Sequence, residues 1–292
     1  MTLLPAATEI VAALGCADRL VGISHECDFP PGLGSIPRVT TTPIDPAAAS
    51  GAIDTQVRAL RESGRPVIGV DASLLRRLAP DIIVTQELCE VCAVADGEAH
   101  RLASALPSPP AVLSLSGRTL EGVWDDIRRV ARALELEDRG TALVDHLQAR
   151  LARLGASAPA RRPRVVCVEW LDPPYLAGHW IPELVEAAGG EDVGARSGSH
   201  SVHTSWTEIA ALDPELMIVM LCGFGVERSR VELARLQDPG SRRFLDGAPV
   251  WVLDGNAYTS RPGPRLVDGA ERLQSAMLGR EMEGLVRWCP HG

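Results

Sequence analysis

Two patterns of apolar positions alternate along this chain, a helical spacing and short continuous runs. Where apolar residues recur every three or four positions, the pattern predicts helices at residues 6–14, 53–61, 73–78, 181–188, 207–212 and 265–278. Between them, short apolar runs rich in β-branched residues predict buried strands at residues 2–4, 20–24, 67–70, 81–85, 111–115, 165–168, 216–220 and 250–253. Alternation of this kind is typical of βα units that form a parallel sheet.

The middle of the chain lacks strand-like runs. Thr119 precedes a helical pattern with Val123, Ile127 and Val130 on one face, and a second helical stretch follows at 137–154. We therefore expect an N-terminal α/β lobe at 1–118, a helical connector at 119–155 and a C-terminal α/β lobe at 156–292. The predicted fold is α/β, with two Rossmann-like lobes, a long helical connector and a ligand cleft between the lobes.

Two polar clusters follow predicted strands of the first lobe. His25-Glu26-Cys27-Asp28 comes after 20–24, and Cys89-Glu90-Val91-Cys92 comes after 81–85. In open parallel sheets, ligands bind outside the carboxyl ends of the strands. We expect these strands to lie close together, so that at least three of His25, Cys27, Cys89 and Cys92 meet within one coordination sphere.

The chemistry of this cluster leaves three interpretations open. His25, Cys27, Cys89 and Cys92 could complete a tetrahedral zinc site or form part of an iron site. Alternatively, His25 could ligate cobalt or haem iron at an axial position. The third interpretation is that the thiols line an apolar wall, as free cysteines often do.

Aromatic side chains concentrate in the predicted strand-end loops of the second lobe. Flat aromatic surfaces suit a planar macrocycle. The predicted ligand-binding set comprises His25, Glu26, Trp170, Tyr175, Trp180, Cys222, Phe224, Tyr258 and Arg261. We expect two other aromatic residues, Trp124 on the connector and Trp251 within a strand, to be packing residues.

The composition argues against several classes of protein. The 292 residues are 46% hydrophobic, which suffices for two domains, and the net charge of −9 argues against nucleic acid as a partner. No apolar run reaches 18 residues, so we expect no membrane-spanning segment. Seven cysteines, an odd number, suit reduced thiols better than a disulfide framework. Since residues 1–5 do not form a secretory signal, we expect a cytoplasmic location as encoded, or an extracytoplasmic one if the true start lies upstream.

The order of several segments resembles the cobalamin-binding and ferric-siderophore-binding proteins of ABC importers. The similarity covers nearly the whole chain and is carried by Leu4-Pro5-Ala6-Ala7-Thr8-Glu9, Val21-Gly22-Ile23-Ser24, Asp28-Phe29-Pro30-Pro31, Asp172-Pro173-Pro174-Tyr175-Leu176-Ala177-Gly178, Ala188-Gly189-Gly190-Glu191, Ser205-Trp206-Thr207-Glu208, Asp213-Pro214-Glu215 and Arg261-Pro262-Gly263-Pro264-Arg265-Leu266. The two Cys-containing clusters resemble a subgroup often labelled cobalamin-binding. The first strand is nearly absent, however, and the insertion at 41–65 has no counterpart in the simplest family members.

The resemblance implies a rigid helical bridge and a ligand clamped between two lobes. It implies non-catalytic binding of a metal-containing macrocycle or chelate, a corrinoid first, then a ferric siderophore or haem. Cobalamin would be cargo, whereas zinc or iron would belong to the Cys/His cluster. The expected partners are this small-molecule complex and an ABC permease, with the chain itself a monomer.

The rival hypothesis is a metal-binding or Cys-dependent redox or transfer enzyme. Cys89 or Cys92 could pair with His25, oriented by Glu26 or Glu90. The sequence has neither a Gly-rich phosphate loop nor a Gly-x-Ser-x-Gly elbow. Because the acidic neighbours would raise a thiol pKa, the sequence favours binding over catalysis.

Overall fold

The computed structural model describes residues 1–88, 94–158, 161–236, 240–241, 245 and 247–289. Contacts divide the chain into two compact units. The N-terminal unit comprises Met1–Ala48, Ala52–Gly117 and Glu121–Asp145, and the C-terminal unit comprises Ala49–Gly51, Arg118–Leu120 and His146–Gly292. The predicted lobe and connector bounds of 1–118, 119–155 and 156–292 stay a prediction.

The N-terminal unit contains short strands and the helices packed on them. Its strands are β1 Thr40–Thr41, β2 Gly69–Val70, β3 Ile82–Gln86 and β4 Ala111–Leu115. Its helices are α1 Pro5–Ala13, α2 Ser50–Glu62, α3 Ala72–Leu78 and α4 Asp96–Ser104, with 3-10 turns at Ala17–Arg19 and Leu33–Ser35. β3 and β4 pair in parallel from Ile82↔Ala111 to Gln86↔Leu115, whereas β1 and β2 pair antiparallel.

The predicted strand at 20–24 is reduced to one bridge, between Ile23 and Arg38. The segment that lies next to residues 20–24 is also not β3, the strand that the sequence predicted there. The Thr2 N–H donates to the Gly22 carbonyl (3.0 Å), and the Leu3 N–H donates to the Val84 carbonyl (2.9 Å). The first three residues therefore lie between the 20–24 segment and β3. Because adjacent strands are about 4.8 Å apart, the 20–24 segment and β3 lie two strand spacings apart rather than one.

Two helices follow β4 with no strand between them, as predicted. They are α5 Leu120–Ala133 and α6 Glu137–Ala156. α5 is amphipathic, with Val123, Trp124 and Ile127 buried along one side. The division into units falls at Asp145, within α6, so this helix contributes residues to both units.

The C-terminal unit is built on a seven-stranded sheet of order β11-β10-β9-β5-β6-β8, with β7 paired to β5. Its strands are β5 Arg164–Leu171, β6 Pro174–Leu176, β7 Glu191–Asp192, β8 Val202–His203, β9 Leu216–Val219, β10 Val250–Leu253 and β11 Leu285–Arg287. Its helices are α7 Ile181–Ala187, α8 Trp206–Ala211, α9 Val226–Arg235, α10 Gly255–Tyr258 and α11 Leu266–Met277.

The burial of the central strands of this sheet is explained by their sequences. β5, β9 and β10 run parallel, and every residue of β9 and β10 is buried. Continuous apolar runs are what strands covered on both faces require. Trp251 on β10 and Trp124 on α5 are both buried packing residues, as predicted.

Several short elements carried too weak a pattern to be predicted: α4, α9, α10 and β6. In the described part of the chain, no helix combines the length and the apolar character that crossing a bilayer requires.

Candidate functional site

His25 lies in a loop whose polar groups are fixed by the next segment. The pairing of Ile23 with Arg38 brings Thr40 beside the loop. The Thr40 hydroxyl accepts the His25 backbone N–H (2.9 Å) and donates to the Ser24 hydroxyl (3.0 Å). His25 Nδ1 lies 2.7 Å from the same oxygen. Assigning the hydroxyl proton to the bond with Ser24 favours the tautomer that has its proton on Nδ1 and its lone pair on Nε2.

The electrostatics of His25 favour that neutral form. Partial burial lowers the pKa of His25 below its ordinary value of 6.5, and the positive charge of Arg38 lowers it further. Arg38 also donates from Nη1 to the carbonyl oxygens of Ser24 (3.1 Å) and Cys27. The guanidinium therefore holds both ends of the His25 loop. A fixed, neutral imidazole with a protonated Nδ1 is the form in which histidine ligates metals through Nε2.

Cys27 has a separate set of partners. Its thiol is buried, 3.0 Å from the Thr8 hydroxyl on α1, which in turn lies 2.6 Å from the Thr2 hydroxyl. Glu26, between His25 and Cys27, is exposed. Among the described residues, no three His, Cys, Asp or Glu side chains are grouped to hold a metal ion. Cys89 and Cys92 lie outside the described residues, so the four-ligand site stays a prediction.

Four predicted ligand residues of the C-terminal unit lie on β5, on β6 and in the segment that follows β9. Trp170 and Phe224 have ring centroids 5.3 Å apart, tilted by 59°. Tyr175 on β6 is the strand partner of Trp170, so both side chains belong to one face of the sheet. The Cys222 N–H donates to the Glu169 carbonyl (3.0 Å). We call Trp170, Tyr175, Cys222 and Phe224 the aromatic group.

The aromatic group has two polar features. The Arg228 guanidinium lies over the Phe224 ring, 3.6 Å from its centroid, which is a cation–π geometry. Trp170 Nε1 is buried without a hydrogen-bond partner in the described structure. A buried indole N–H normally has an acceptor. The group therefore presents an unused donor beside an apolar wall.

Trp180, Tyr258 and Arg261 have their own hydrogen-bond partners in the C-terminal unit. Trp180 is buried and donates from Nε1 to the Thr259 carbonyl (2.9 Å). The Tyr258 hydroxyl accepts from Arg272 Nη2 (2.9 Å), and that guanidinium stacks on the Tyr258 ring. Arg261 is also buried and donates to Asn256 Oδ1 (2.8 Å). These bonds stabilise the C-terminal unit, and a ligand role for the three residues stays a prediction.

Sequence reasoning missed Thr40, Arg38 and Arg228. None belongs to a chemical motif, and each acts through contact with a residue distant in sequence or on a neighbouring turn. The one available signal was the Arg38-Val39-Thr40-Thr41 run, which has the β-branched character of a short strand.

Comparisons with known proteins agree with this architecture. Residues 73–239 match the Periplasmic binding protein family. The vitamin B12-binding protein of Vibrio cholerae serotype O1 is 21% identical over 280 residues, covering 94% of this chain and 86% of that protein.

Two solved structures illustrate the similarity of fold. A periplasmic haem-binding protein from Pseudomonas aeruginosa superposes with a TM-score of 0.72 at 22% identity, covering 99% of this chain and 96% of that one. An ABC transporter substrate-binding protein from Listeria monocytogenes gives a TM-score of 0.66 at 16% identity, with 94% and 96% covered.

These matches confirm the predicted two-lobe α/β fold and the resemblance stated from the sequence. The matched family is one of binding proteins, which confirms the non-enzymatic prediction and leaves the Cys-dependent enzyme hypothesis without support. The family match covers more than half of the chain, so this protein belongs to the periplasmic binding protein family, the substrate-binding components of ABC importers.

Proposed function

We propose that this protein binds a metal-containing macrocycle reversibly, a corrinoid in the first place, and delivers it to an ABC permease. The observation that carries the proposal is the state of His25. Its Nδ1 lies 2.7 Å from the Thr40 hydroxyl, which leaves Nε2 without a hydrogen-bond partner among the described residues. A cobalt or haem iron centre with an exchangeable axial position is the cargo that such a nitrogen can ligate.

The aromatic group supports a flat ligand. Trp170, Tyr175 and Phe224 supply aromatic surface next to one another, and large flat surfaces contribute most of the apolar area buried with a macrocycle. Relatives of similar fold are described as vitamin B12-binding and haem-binding proteins.

Titration of the purified protein with aquacobalamin, haemin and a ferric hydroxamate, followed by absorbance, tests the proposal. We expect aquacobalamin to bind most tightly and its visible spectrum to shift as imidazole replaces the axial water. His25→Ala should remove the spectral shift. His146→Ala, at an exposed position on α6, is the matched control and should behave as the wild type.

The results separate the candidate ligands. Haemin binding with a His25-dependent Soret shift, and no cobalamin binding, would identify haem as the cargo. Binding of the ferric hydroxamate alone would contradict axial ligation, because such chelates leave no free position on iron. If none of the three ligands binds below millimolar concentration, the proposal is wrong.

The aromatic group is tested separately. Trp170→Ala removes the largest ring of the group, and we expect weaker binding with the axial spectral shift preserved. Trp251→Phe changes a tryptophan buried in β10 and serves as the control for a general loss of packing. Equal ligand affinity of wild type and Trp170→Ala would exclude the aromatic group from the site.

The cellular location belongs to the same proposal. Delivery to a permease requires the protein on the outer side of the membrane, whereas a cytoplasmic protein would act as an intracellular carrier. Cell fractionation with an antibody against the native protein distinguishes these alternatives.

A further inference from the structure

Two histidines of the C-terminal unit are held close together by the backbone. The His179 N–H donates to the Ser199 carbonyl (2.6 Å), and the Gly198 N–H donates to the His179 carbonyl (2.9 Å). A Cβ atom at Gly178 would lie 2.4 Å from the Ser199 carbonyl oxygen, so only glycine permits this approach. The segments bearing His179 and His200 are therefore fixed against each other.

His179 has two unusual features. Its φ of +55° is in the left-handed region, which is strained for a non-glycine residue. Its Nε2 atom is buried and has no hydrogen-bond partner among the described residues. An orphaned buried nitrogen destabilises the folded chain unless a partner occupies Nε2. Strained residues of this kind cluster at ligand sites.

The His200 ring lies next to the His179 ring. The two ring centroids are 5.4 Å apart, and the rings are nearly perpendicular at 88°. Two imidazoles that bind one tetrahedral ion at about 2.0–2.1 Å have ring centroids roughly 5 Å apart. His200 is exposed whereas His179 Nε2 is buried, so an ion would approach the pair from the His200 side.

We propose that His179 and His200 together bind a divalent transition-metal ion such as Zn²⁺, with water in the remaining coordination positions. Imidazole nitrogens suit zinc, nickel and copper, whereas magnesium and calcium prefer oxygen ligands. Since the described residues include no group of three or more metal-ligating side chains, the site is a two-imidazole site. It is separate from the macrocycle proposal, because neither histidine belongs to the His25 loop or the aromatic group.

The charge state of the pair is compatible with a metal. Burial lowers the pKa of His179, and the neighbouring His200 and Arg118 lower it further. His179 is therefore neutral at physiological pH, as a ligand must be. Arg118 also repels a bound cation, so we expect an affinity typical of a two-ligand site rather than of a closed structural zinc site.

The test uses full-length protein carrying Cys89→Ser and Cys92→Ser, which removes the thiols of the other predicted metal cluster. Zn²⁺ binding is measured by competition with a chelating dye, and Co²⁺ absorption reports the ligand type. We expect one Zn²⁺ per chain and a Co²⁺ spectrum without thiolate charge transfer. Loss of a direct ligand in His200→Ala should weaken Zn²⁺ binding by about tenfold or more.

His200→Ala is the primary variant because an exposed ring can be removed without disturbing the core. His179→Ala should weaken binding as much, and a circular dichroism spectrum equal to that of the parent shows whether it folds. His146→Ala is the matched control and should leave Zn²⁺ binding unchanged. The proposal is overturned if the parent binds no Zn²⁺ at micromolar concentration, or if His200→Ala binds Zn²⁺ as tightly as the parent.

Discussion

Replacing Thr40 with valine tests the network that orients His25. The Thr40 side chain is 1% exposed, and valine preserves its shape and β-branching while removing the hydroxyl oxygen. That oxygen accepts from the His25 backbone N–H and from Nδ1, and it donates to Ser24. Thr40→Ser keeps the oxygen and loses only a methyl group, which makes it the matched control.

The size of the stability loss in Thr40→Val depends on the hydrogen-bond donors that the substitution leaves without an acceptor. The His25 backbone N–H cannot turn away, and an orphaned, partly buried donor costs about 1–3 kcal/mol. The imidazole is half-buried and can rotate toward solvent, so its Nδ1–H adds little to the free energy of unfolding. We therefore expect Thr40→Val to lower the stability by about 1–3 kcal/mol.

Urea denaturation followed by tryptophan fluorescence measures that loss, and a cobalamin titration measures the second effect. A rotated imidazole no longer presents Nε2 in a fixed direction, so we expect weaker ligand binding by Thr40→Val than by Thr40→Ser. In a His25→Ala background the same substitution should leave ligand affinity unchanged, because its effect on binding passes through the ring.

A stability loss below about 0.5 kcal/mol in Thr40→Val would refute the argument, since this is the range of neutral surface substitutions. Equal weakening of ligand binding with and without His25 would show that Thr40 acts on the ligand by another route.

Three further predictions concern other groups. Ligand affinity should be constant above pH 6.5 and fall as the pH drops through the lowered pKa of His25, since the protonated ring cannot ligate; titrations from pH 8 to 5 check this, and His25→Ala should lack the dependence. Burial raises the pKa of Asp192 from 3.8 to about 6. The folded state therefore binds the Asp192 proton more tightly than the unfolded state, and stability is lost as the pH rises from about 4 through 6. Asp192→Asn should remove that loss and be more stable at pH 8 by up to about 3 kcal/mol in urea denaturation, whereas equal pH profiles for both proteins would contradict the assignment. Gly117→Ala would place a Cβ 2.4 Å from the Gly122 carbonyl carbon, so we expect a thermally measured destabilisation of about 1–3 kcal/mol, and an unchanged midpoint would show that this turn can move.

The sequence by itself determined the class of the fold and most of its elements. Buried strands such as β9 and β10 are recognisable because both faces are covered, so that every position is apolar. The helices α5 and α6 are recognisable because their apolar residues repeat at helical spacing. These patterns are local, so they can be recognised without knowing which segments pack against each strand or helix. The resemblance to binding proteins of ABC importers was likewise carried by the order of short segments along the chain.

Only the tertiary structure decided which residues meet. Met1–Leu3 lies between the 20–24 segment and β3, and the short apolar run at residues 2–4 could not indicate which segments it would pair with. Likewise, the proton on His25 Nδ1 follows from Thr40, which is 15 residues away and reaches the ring through the Ile23–Arg38 bridge. The physical reason is the same in both cases. Hydrophobic periodicity reports whether a side chain is buried, whereas strand order and hydrogen-bond partners depend on contacts between segments distant in sequence.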